Sequence, residues 1–209
     1  MRSRIRPHQR RRMLARLLVL LGLVLVAQAL WMPLKAVLAQ SLLRRAYDQA
    51  PGQARPWRWA DFAAVAELRV PRLDLRQLVL DQASPRALAF GPGLQIGLAG
   101  RDPRGQRLVL AGHRDSHFAW LAKLRTGDEV LLAVPQWEPS EAAGAVVEVR
   151  YRVVQTQVFD ARRVGLATRT ADSDGAGELL LTTCWPFDAL VAGGPLRYAV
   201  RALPVTSLL

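Results

Sequence analysis

Cys184 is the chain's only cysteine, and it follows an apolar stretch, 179–181, and two threonines, Thr182 and Thr183. The Trp-Pro pair that comes next ends this stretch, because proline cannot continue a central strand ladder. We therefore expect the thiol at the end of a strand, where its side chain reaches a surface cleft. A thiol there can act as a covalent nucleophile if a neighbouring group produces the thiolate. An inert buried cysteine and an intermolecular disulfide are the alternatives.

Histidine is the usual partner of a nucleophilic thiol, and the chain has three histidines. His113 follows the apolar run 108–112, so it too is expected at the end of a buried strand. His117 lies four residues later on a predicted helical turn, where a solvated or capping role is the simpler interpretation. His8 precedes a predicted membrane segment and would lie on its other side. We therefore predict His113 as the partner of Cys184, with a structural role for both later histidines as the alternative.

An acyl-transfer site also needs hydrogen-bond donors for the oxyanion of its tetrahedral intermediate. Arg197 opens the last predicted strand and is the candidate donor, although an ordinary surface charge is the alternative. Asp115 could orient a side chain or pair with Arg114. With Thr182 and Thr183, Asp115 completes the predicted supporting residues, and the three catalytic candidates should meet in one cleft. One cysteine and scattered histidines give no zinc-type spacing, so neither a metal nor a cofactor is predicted.

The elements that must position these residues are mostly strands. From residue 65 onward, short runs rich in β-branched and aliphatic residues alternate with Gly, Pro and Asp. Within this β-rich region, helical patterns are limited to 84–90 and 117–124. About eight strands with little helix suggest a closed barrel or a sandwich, and a barrel would remove exposed edges. The predicted strands are 65–70, 77–80, 94–98, 107–112, 129–134, 146–159, 178–183 and 197–203.

The N-terminal region has a strongly uneven charge. The net charge is +12, but seven arginines lie within 1–16, a segment without acidic residues. An uncharged apolar run, 17–34, follows directly. About 20 such residues span a hydrocarbon core of roughly 30 Å, and flanking arginines stay in the cytoplasm. The charge pattern therefore predicts a single-pass membrane protein whose remainder is exported, and nucleic acid is not an expected partner.

A cleavable signal peptide is the main alternative to an anchor. Ala27-Gln28-Ala29 fits a signal-peptidase site, but the apolar run is longer than the usual ~7–15 residues and continues past it. We therefore predict a cytoplasmic tail at 1–16 and a transmembrane anchor at 17–34. A juxtamembrane helix and linker follow at 35–61, and a catalytic β-domain at 62–209.

Five blocks of sequence resemble the sortases, and among them the proteobacterial class GN sortases. The similarity extends from the anchor to the C-terminus. Many sortases have a threonine four residues before the cysteine, where this chain has Leu180. The blocks are KAVLAQ at 35–40, LAFGPG at 88–93, LAGHRDSHF at 110–118, TCWPFDA at 183–189 and GGPLRY at 193–198.

This resemblance implies a mainly β fold, an eight-stranded closed barrel preceded by one N-terminal transmembrane helix. It also implies that Cys184 attacks a peptide bond within an LPxTG-like C-terminal sorting motif of an exported protein and forms a thioester. An amine of unidentified origin would resolve that thioester. By position, His113 protonates the leaving amine and Arg197 binds the substrate and the oxyanion. Some sortases bind calcium, but no acidic cluster here requires it.

Two other functions fit part of the pattern. An L,D-transpeptidase acting on peptidoglycan also uses Cys and His in an exported β fold. That family expects a Gly-Cys pair closely followed by arginine, whereas Cys184 lies between Thr183 and Trp185. A non-catalytic, membrane-tethered binding module would not need to keep all three catalytic residue types. The sequence therefore favours a sortase-type cysteine transpeptidase.

Overall fold

A long helix begins the structure, a computed structural model that describes residues 7–97, 106–135, 146–163, 177–189, 191 and 193–205. Helix α1 spans Pro7–Gln49 and contains Pro33. Its most apolar 18-residue window has a mean hydropathy of 2.3. The aliphatic side chains there are exposed, as in Leu17 at 63%. Among the described helices, α1 alone has the length and apolar composition needed to cross a membrane.

The chain divides into two compact units, 1–41 and 42–209. The second unit contains all the strands seen in the described residues, in agreement with the predicted β-rich pattern. These strands are β1 Ala64–Val70, β2 Leu75–Leu80, β3 Gly93–Ile96, β4 Arg107–Ala111, β5 Glu129–Pro135, β6 Val146–Asp160, β7 Glu178–Cys184 and β8 Leu196–Pro204.

The strands of the described ranges form one closed barrel in the order β1-β2-β3-β4-β7-β8-β6-β5. Most neighbours pair antiparallel, but β2 pairs with β3, and β4 with β7, in parallel. Closure leaves no edge strand with unpaired backbone groups. The predicted eight-stranded closed barrel is therefore confirmed, and an open sandwich is excluded.

Every predicted strand overlaps an observed one, with small differences at the ends. The predicted strand 94–98 extends past the end of β3, because β3 ends at Ile96 and Gly97 follows with a φ of 106°. Residue 98 lies outside the described residues. The predicted strand 77–80 starts two residues after β2 begins at Leu75. The predicted helical runs 84–90 and 117–124 contain short 3-10 turns, Ala87–Ala89 and Ala119–Lys123.

The barrel interior is filled by the inward-facing residues of alternating strand positions. In β6, Val149, Tyr151 and Val153 are buried, and the residues between them are exposed. In β7, Leu179 and Leu181 belong to the same core. This alternation sends the intervening β7 residues to the outer face of the barrel, where the candidate site begins.

The last two turns of α1 pack against the barrel through a buried carboxylate. Glu67 of β1 has a side chain only 4% exposed, and it contacts Arg44, Arg69 and Arg76 at 2.7, 2.6 and 3.2 Å. Burial raises the pKa of Glu67, but the arginine hydrogen bonds outweigh burial and lower it to about 2. Nearby, the buried Tyr47 hydroxyl donates to the Ala133 carbonyl at 3.4 Å. The end of the helix is thus fixed to the barrel by buried polar contacts.

Candidate active site

Three strand ends meet at one end of the barrel. In the parallel pair, Ala111 at the end of β4 lies opposite Thr182 of β7. In the antiparallel pair, Cys184 at the end of β7 lies opposite Arg197 near the start of β8. Because β4 and β7 run in the same direction, the residue two positions beyond Ala111, His113, emerges next to Cys184. The topology therefore brings all three predicted catalytic residues to the same end.

Cys184 is a free, partly exposed thiol at the last position of β7. Its side chain shares the outer face of the strand with Leu180 and Thr182, because alternate residues point to the same side. The strand ends there, as its Trp-Pro sequence predicts. The Trp185 N–H donates to the Leu196 carbonyl at 3.0 Å and connects the two ends of the β7–β8 loop.

His113 is an exposed residue that two hydrogen bonds hold close to the end of β7. The Gly112 N–H donates to the Thr182 carbonyl at 3.2 Å. The buried Thr183 hydroxyl donates to the Gly112 carbonyl at 2.7 Å. Both bonds link the residue before His113 to the residues before Cys184. Thr183, one of the predicted supporting residues, thus connects the backbone segments that carry Cys184 and His113.

Gly112 is also required for packing. A Cβ atom at this position would lie 2.7 Å from Cγ of Phe118, a buried core residue. The absence of a side chain at Gly112 therefore allows the backbone to lie close to an aromatic ring. In addition, the Phe118 N–H donates to the His113 carbonyl at 2.8 Å. The turn after β4 consequently has little freedom to move His113.

Arg197 is partly exposed, and its guanidinium is oriented by its own loop. One nitrogen, Nη1, donates to the Gly194 carbonyl at 2.6 Å and to the Leu196 carbonyl at 2.9 Å. Within the described residues, Nε and Nη2 make no hydrogen bond. These donors are available to an anion placed between the ends of β7 and β8.

Arg114 is a contact residue whose importance the sequence did not reveal. Its Nη2 donates to the carbonyls of Ala189, at 2.6 Å, and Val191, at 3.1 Å. Arg114 thereby connects the turn after β4 to the loop between β7 and β8. Sequence reasoning considered it only as an ion-pair partner of Asp115, which is exposed and has no ion pair in the described ranges. No sequence pattern marks a side chain that will bind backbone carbonyls, so this contact could not be predicted from the sequence.

Both ring nitrogens of His117 face polar atoms of neighbouring elements of the fold. Its Nδ1 lies 3.0 Å from the Gln77 amide nitrogen, and its Nε2 lies 3.4 Å from the Ala89 carbonyl oxygen. Burial lowers the pKa of His117 below its ordinary value, the hydrogen bond to Ala89 opposes this, and the charge of His113 adds to it. His117 therefore joins the β4 turn to β2, and His113 remains the predicted partner of the thiol.

An aromatic cluster borders the site on the side of β8. The Trp185 and Tyr198 rings stack with centroids 5.6 Å apart, and the Phe187 ring meets both edge-on at 5.5 and 5.2 Å. Phe187 and Tyr198 also pack against the barrel core. The cluster supports both ends of the β7–β8 loop, next to Cys184 and Arg197. Within the described residues, no group of three His, Cys, Asp or Glu side chains is arranged to hold a metal ion.

Comparison with known proteins identifies the fold and the family. The sortase domain family model matches residues 68–205. Sortase D of Bacillus subtilis is 28% identical over 139 residues, which cover 66% of this chain and 63% of that protein. Sortase A from Corynebacterium diphtheriae superposes with a TM-score of 0.53 at 21% identity, covering 72% of this chain and 64% of that one.

A second solved structure gives the same result. Sortase C from Clostridium perfringens SM101 superposes with a TM-score of 0.51 at 18% identity, covering 79% of this chain and 86% of that one. These structures share the barrel fold, and the family match extends through β4, β7 and β8. The chain belongs to the sortase family.

Proposed function

We propose that this protein is a sortase-type cysteine transpeptidase with Cys184 as nucleophile, His113 as acid and base, and Arg197 as oxyanion and substrate clamp. The observation that carries the proposal is the placement of these residues at three adjacent strand ends. The family membership supports the reaction class. The proposed substrate is an exported protein with an LPxTG-like C-terminal sorting motif.

The first half-reaction forms a thioester. The Cys184 thiolate attacks the carbonyl carbon of the scissile peptide bond, and negative charge develops on the carbonyl oxygen. The free guanidinium donors of Arg197 would stabilise that oxyanion. When the carbon–nitrogen bond breaks, His113 donates its proton to the leaving amine. The acyl half of the substrate then remains on sulfur.

The second half-reaction regenerates the enzyme. An amine on a second molecule attacks the thioester carbonyl, loses its proton to His113, and releases the thiolate as the new amide forms. Water could attack in the same way and give hydrolysis. The apolar Leu180 on the outer face of β7 and the aromatic cluster of Trp185, Phe187 and Tyr198 beside Cys184 would limit the access of water.

The remaining proposals concern subtype and location. The block LAGHRDSHF at 110–118 and the block TCWPFDA at 183–189 support assignment to the class GN sortases. We further propose the segment boundaries given above, with 17–34 as an uncleaved anchor in the inner membrane and 62–209 as the periplasmic catalytic domain. The exposed aliphatic surface of α1 supports the membrane anchor. The seven arginines within residues 1–16 support a cytoplasmic N-terminus. A neighbouring gene for an exported protein with a C-terminal sorting motif, an apolar segment and a basic tail would support the proposed substrate, and a neighbourhood without one would weigh against it.

The nucleophile is tested with the full chain in detergent and a quenched fluorescent LPxTG-type peptide. The wild-type protein should cleave the peptide and show a mass increase equal to the acyl half. Cys184→Ala should lose both signals, because no other thiol exists in the chain. Its circular dichroism spectrum should match the wild type, since the change is small. Unchanged cleavage by Cys184→Ala would exclude the proposed mechanism.

The anchor is tested separately by N-terminal sequencing of the membrane-extracted protein. If the anchor is not cleaved, sequencing should read the encoded N-terminal residues that precede position 17. A mature start near Leu30 would show instead that signal peptidase cuts after Ala29.

A further inference from the structure

The segment between α1 and β1 exposes a tryptophan. Trp59 is 81% exposed, more than any other large apolar residue among the described ones. Scattered apolar residues on a protein surface need no special explanation. Trp59, however, also lines a cavity of about 360 Å³. An exposed indole at the edge of a cavity is a candidate contact for a ligand or for another surface.

The other walls of this cavity are aromatic, and its two charged groups are paired with each other. The Trp57 ring centroid lies 5.6 Å from that of Phe62 and 5.1 Å from that of Phe90. The Phe62 and Phe90 centroids lie 5.3 Å apart. Arg86 Nη1 lies 3.4 Å from the Asp61 carboxylate, and both side chains are largely exposed, at 73% and 47%. The cavity therefore combines apolar walls with an ion pair that faces solvent.

The backbone groups beside the cavity also have partners. The Asp61 carbonyl accepts a hydrogen bond from Gln82 Nε2 at 2.7 Å. The Ala60 carbonyl accepts one from Arg55 Nη1, also at 2.7 Å. A sugar needs several unpaired donors and acceptors in its site, because its own hydroxyl groups must be paired on binding. The cavity therefore suits an apolar group better than a sugar.

We propose that this region docks on the lipid headgroup layer of the membrane that holds α1, with the glycerol region of a lipid in the cavity. The inference rests on the proposed anchor at 17–34. Tryptophan is enriched where membrane meets water, because its ring is apolar and its N–H is polar. We call the region the Trp59 surface, and its members are Trp57, Trp59, Phe62, Arg86 and Phe90.

The length of the chain allows this contact. The Lys35 ammonium lies 4.6 Å from the Trp31 ring centroid, and both residue types anchor the ends of membrane helices at the interface. Eight residues of α1 lead from Lys35 to Leu43, which belongs to the buried cluster that Trp57 and Phe90 pack against. Eight helical residues rise about 12 Å. The headgroup layer extends about 5–8 Å beyond the hydrocarbon core, and helix tilts of up to about 40° shorten the rise.

The charges near the Trp59 surface are almost balanced. Arg55, Arg58 and Arg86 are accompanied by the carboxylates of Asp61 and Asp81. Among the described ion pairs, Arg58 has none, and it is exposed. One surplus arginine strengthens binding to an anionic membrane by about fivefold. The aromatic side chains should therefore dominate the contact, which should persist on neutral lipids and at high salt.

Photo-crosslinking of the full chain identifies the occupant. The chain carries p-benzoylphenylalanine in place of Trp59 and is reconstituted into vesicles of phosphatidylethanolamine and phosphatidylglycerol. After irradiation, mass spectrometry should show a lipid adduct at position 59. The same label in place of Val158 is the matched control, because Val158 is 42% exposed and pairs with Tyr198 of β8, four strands from β2 in the barrel order. Lipid adduct at position 158 should be close to background.

Tryptophan quenching by brominated lipids provides a second measurement. The chain has six tryptophans, and Trp31 in α1 gives a quenched signal in every variant. Trp59→Phe should lower the quenched fraction of the fluorescence, because it removes an indole that contacts lipid. Trp120→Phe removes an indole that is only 8% exposed and should not lower it. The melting temperature of Trp59→Phe should equal that of the wild type, since the side chain is exposed.

The outcomes separate the Trp59 surface from the proposed anchor. Equal lipid adducts at positions 59 and 158, or a quenched fraction that Trp59→Phe leaves unchanged, would overturn the inference. So would an adduct at 59 with a second protein copy, or with added peptidoglycan fragments, in place of lipid. Carbonate extraction then tests the anchor. Protein that stays in the membrane but gives no lipid adduct at 59 overturns the docking surface alone, whereas release by carbonate overturns the anchor and this inference together.

Discussion

Replacing Glu67 with glutamine tests the buried polar contact between α1 and the barrel. The substitution keeps the shape of the side chain but removes the charge that faces Arg44, Arg69 and Arg76. Lowering the pKa of Glu67 from 4.5 to about 2 corresponds to about 3 kcal/mol of stability at neutral pH. The arginines are 34–62% exposed, so solvent screening reduces the expected loss to about 2 kcal/mol.

The stabilisation by ionised Glu67 depends on pH in a defined direction. The folded-state pKa of Glu67 is depressed, so its stabilisation is complete above about pH 4.5 and is lost as the pH falls toward 2. Glu67→Gln lacks this titration. The free energies of unfolding of the two proteins should therefore differ by about 2 kcal/mol at pH 7 and converge at low pH.

The assay is urea unfolding of the full chain in detergent, followed by tryptophan fluorescence between pH 2.5 and 7. Glu148→Gln is the matched control, because Glu148 is 42% exposed and contacts only Arg69 among the described ion pairs, at 3.2 Å. Its loss should be at most about 0.5 kcal/mol. The reasoning is refuted if Glu67→Gln is as stable as the wild type at pH 7. It is also refuted if the full difference persists at pH 2.5.

Three further substitutions test contacts around the site and the helix. Arg114→Ala removes both bonds to the β7–β8 loop; it should lower kcat/KM about tenfold and increase protease cutting of that loop, and unchanged kinetics would argue against a positioning role. Gly112→Ala places a methyl group against the Phe118 ring. The free energy of unfolding, measured with denaturant, should fall by about 1–3 kcal/mol, and peptide cleavage should decrease. Wild-type stability would contradict the packing argument. Tyr47→Phe removes the hydroxyl that donates to the Ala133 carbonyl. Thermal unfolding should show that the free energy of unfolding falls by about 0.5–1.5 kcal/mol, while kcat/KM for the peptide stays at the wild-type value. A loss of kcat/KM would show that the helix end does more than support the barrel.

The elements of this fold were predictable where a local pattern specifies them. The alternation of Val149, Tyr151 and Val153 with polar residues is the local pattern of β6, which lies over the predicted strand 146–159. The Trp-Pro pair after Cys184 identified the end of β7. These signals arise from burial on one face and from the lack of a proline N–H, which act within a few residues. They are visible in one sequence without knowledge of the partner strands.

The pairing of the strands was not predictable in the same way. The parallel contact between β4 and β7 joins segments that are distant in sequence, and neither strand indicates its neighbour. The same limitation applies to the site. His113 and Arg197 could be proposed from residue type and strand-end position, but the contacts of Arg114 with loop carbonyls depend on tertiary structure alone. Thr182 was predicted only as a supporting residue, and the lack of a hydrogen-bond partner for its buried hydroxyl among the described residues becomes visible only when its neighbours are known.

The parallel pairing of β4 with β7 also has a consequence for folding. The bond between the Thr183 hydroxyl and the Gly112 carbonyl closes a loop of 71 residues. Contacts at such separation carry a large loop-closure entropy and form slowly compared with hairpins. A newly made chain therefore holds its only thiol apart from His113 until the barrel has closed. Assembly of the proposed nucleophile and its proposed proton donor is thus linked to completion of the fold, and a partly folded chain presents an ordinary thiol.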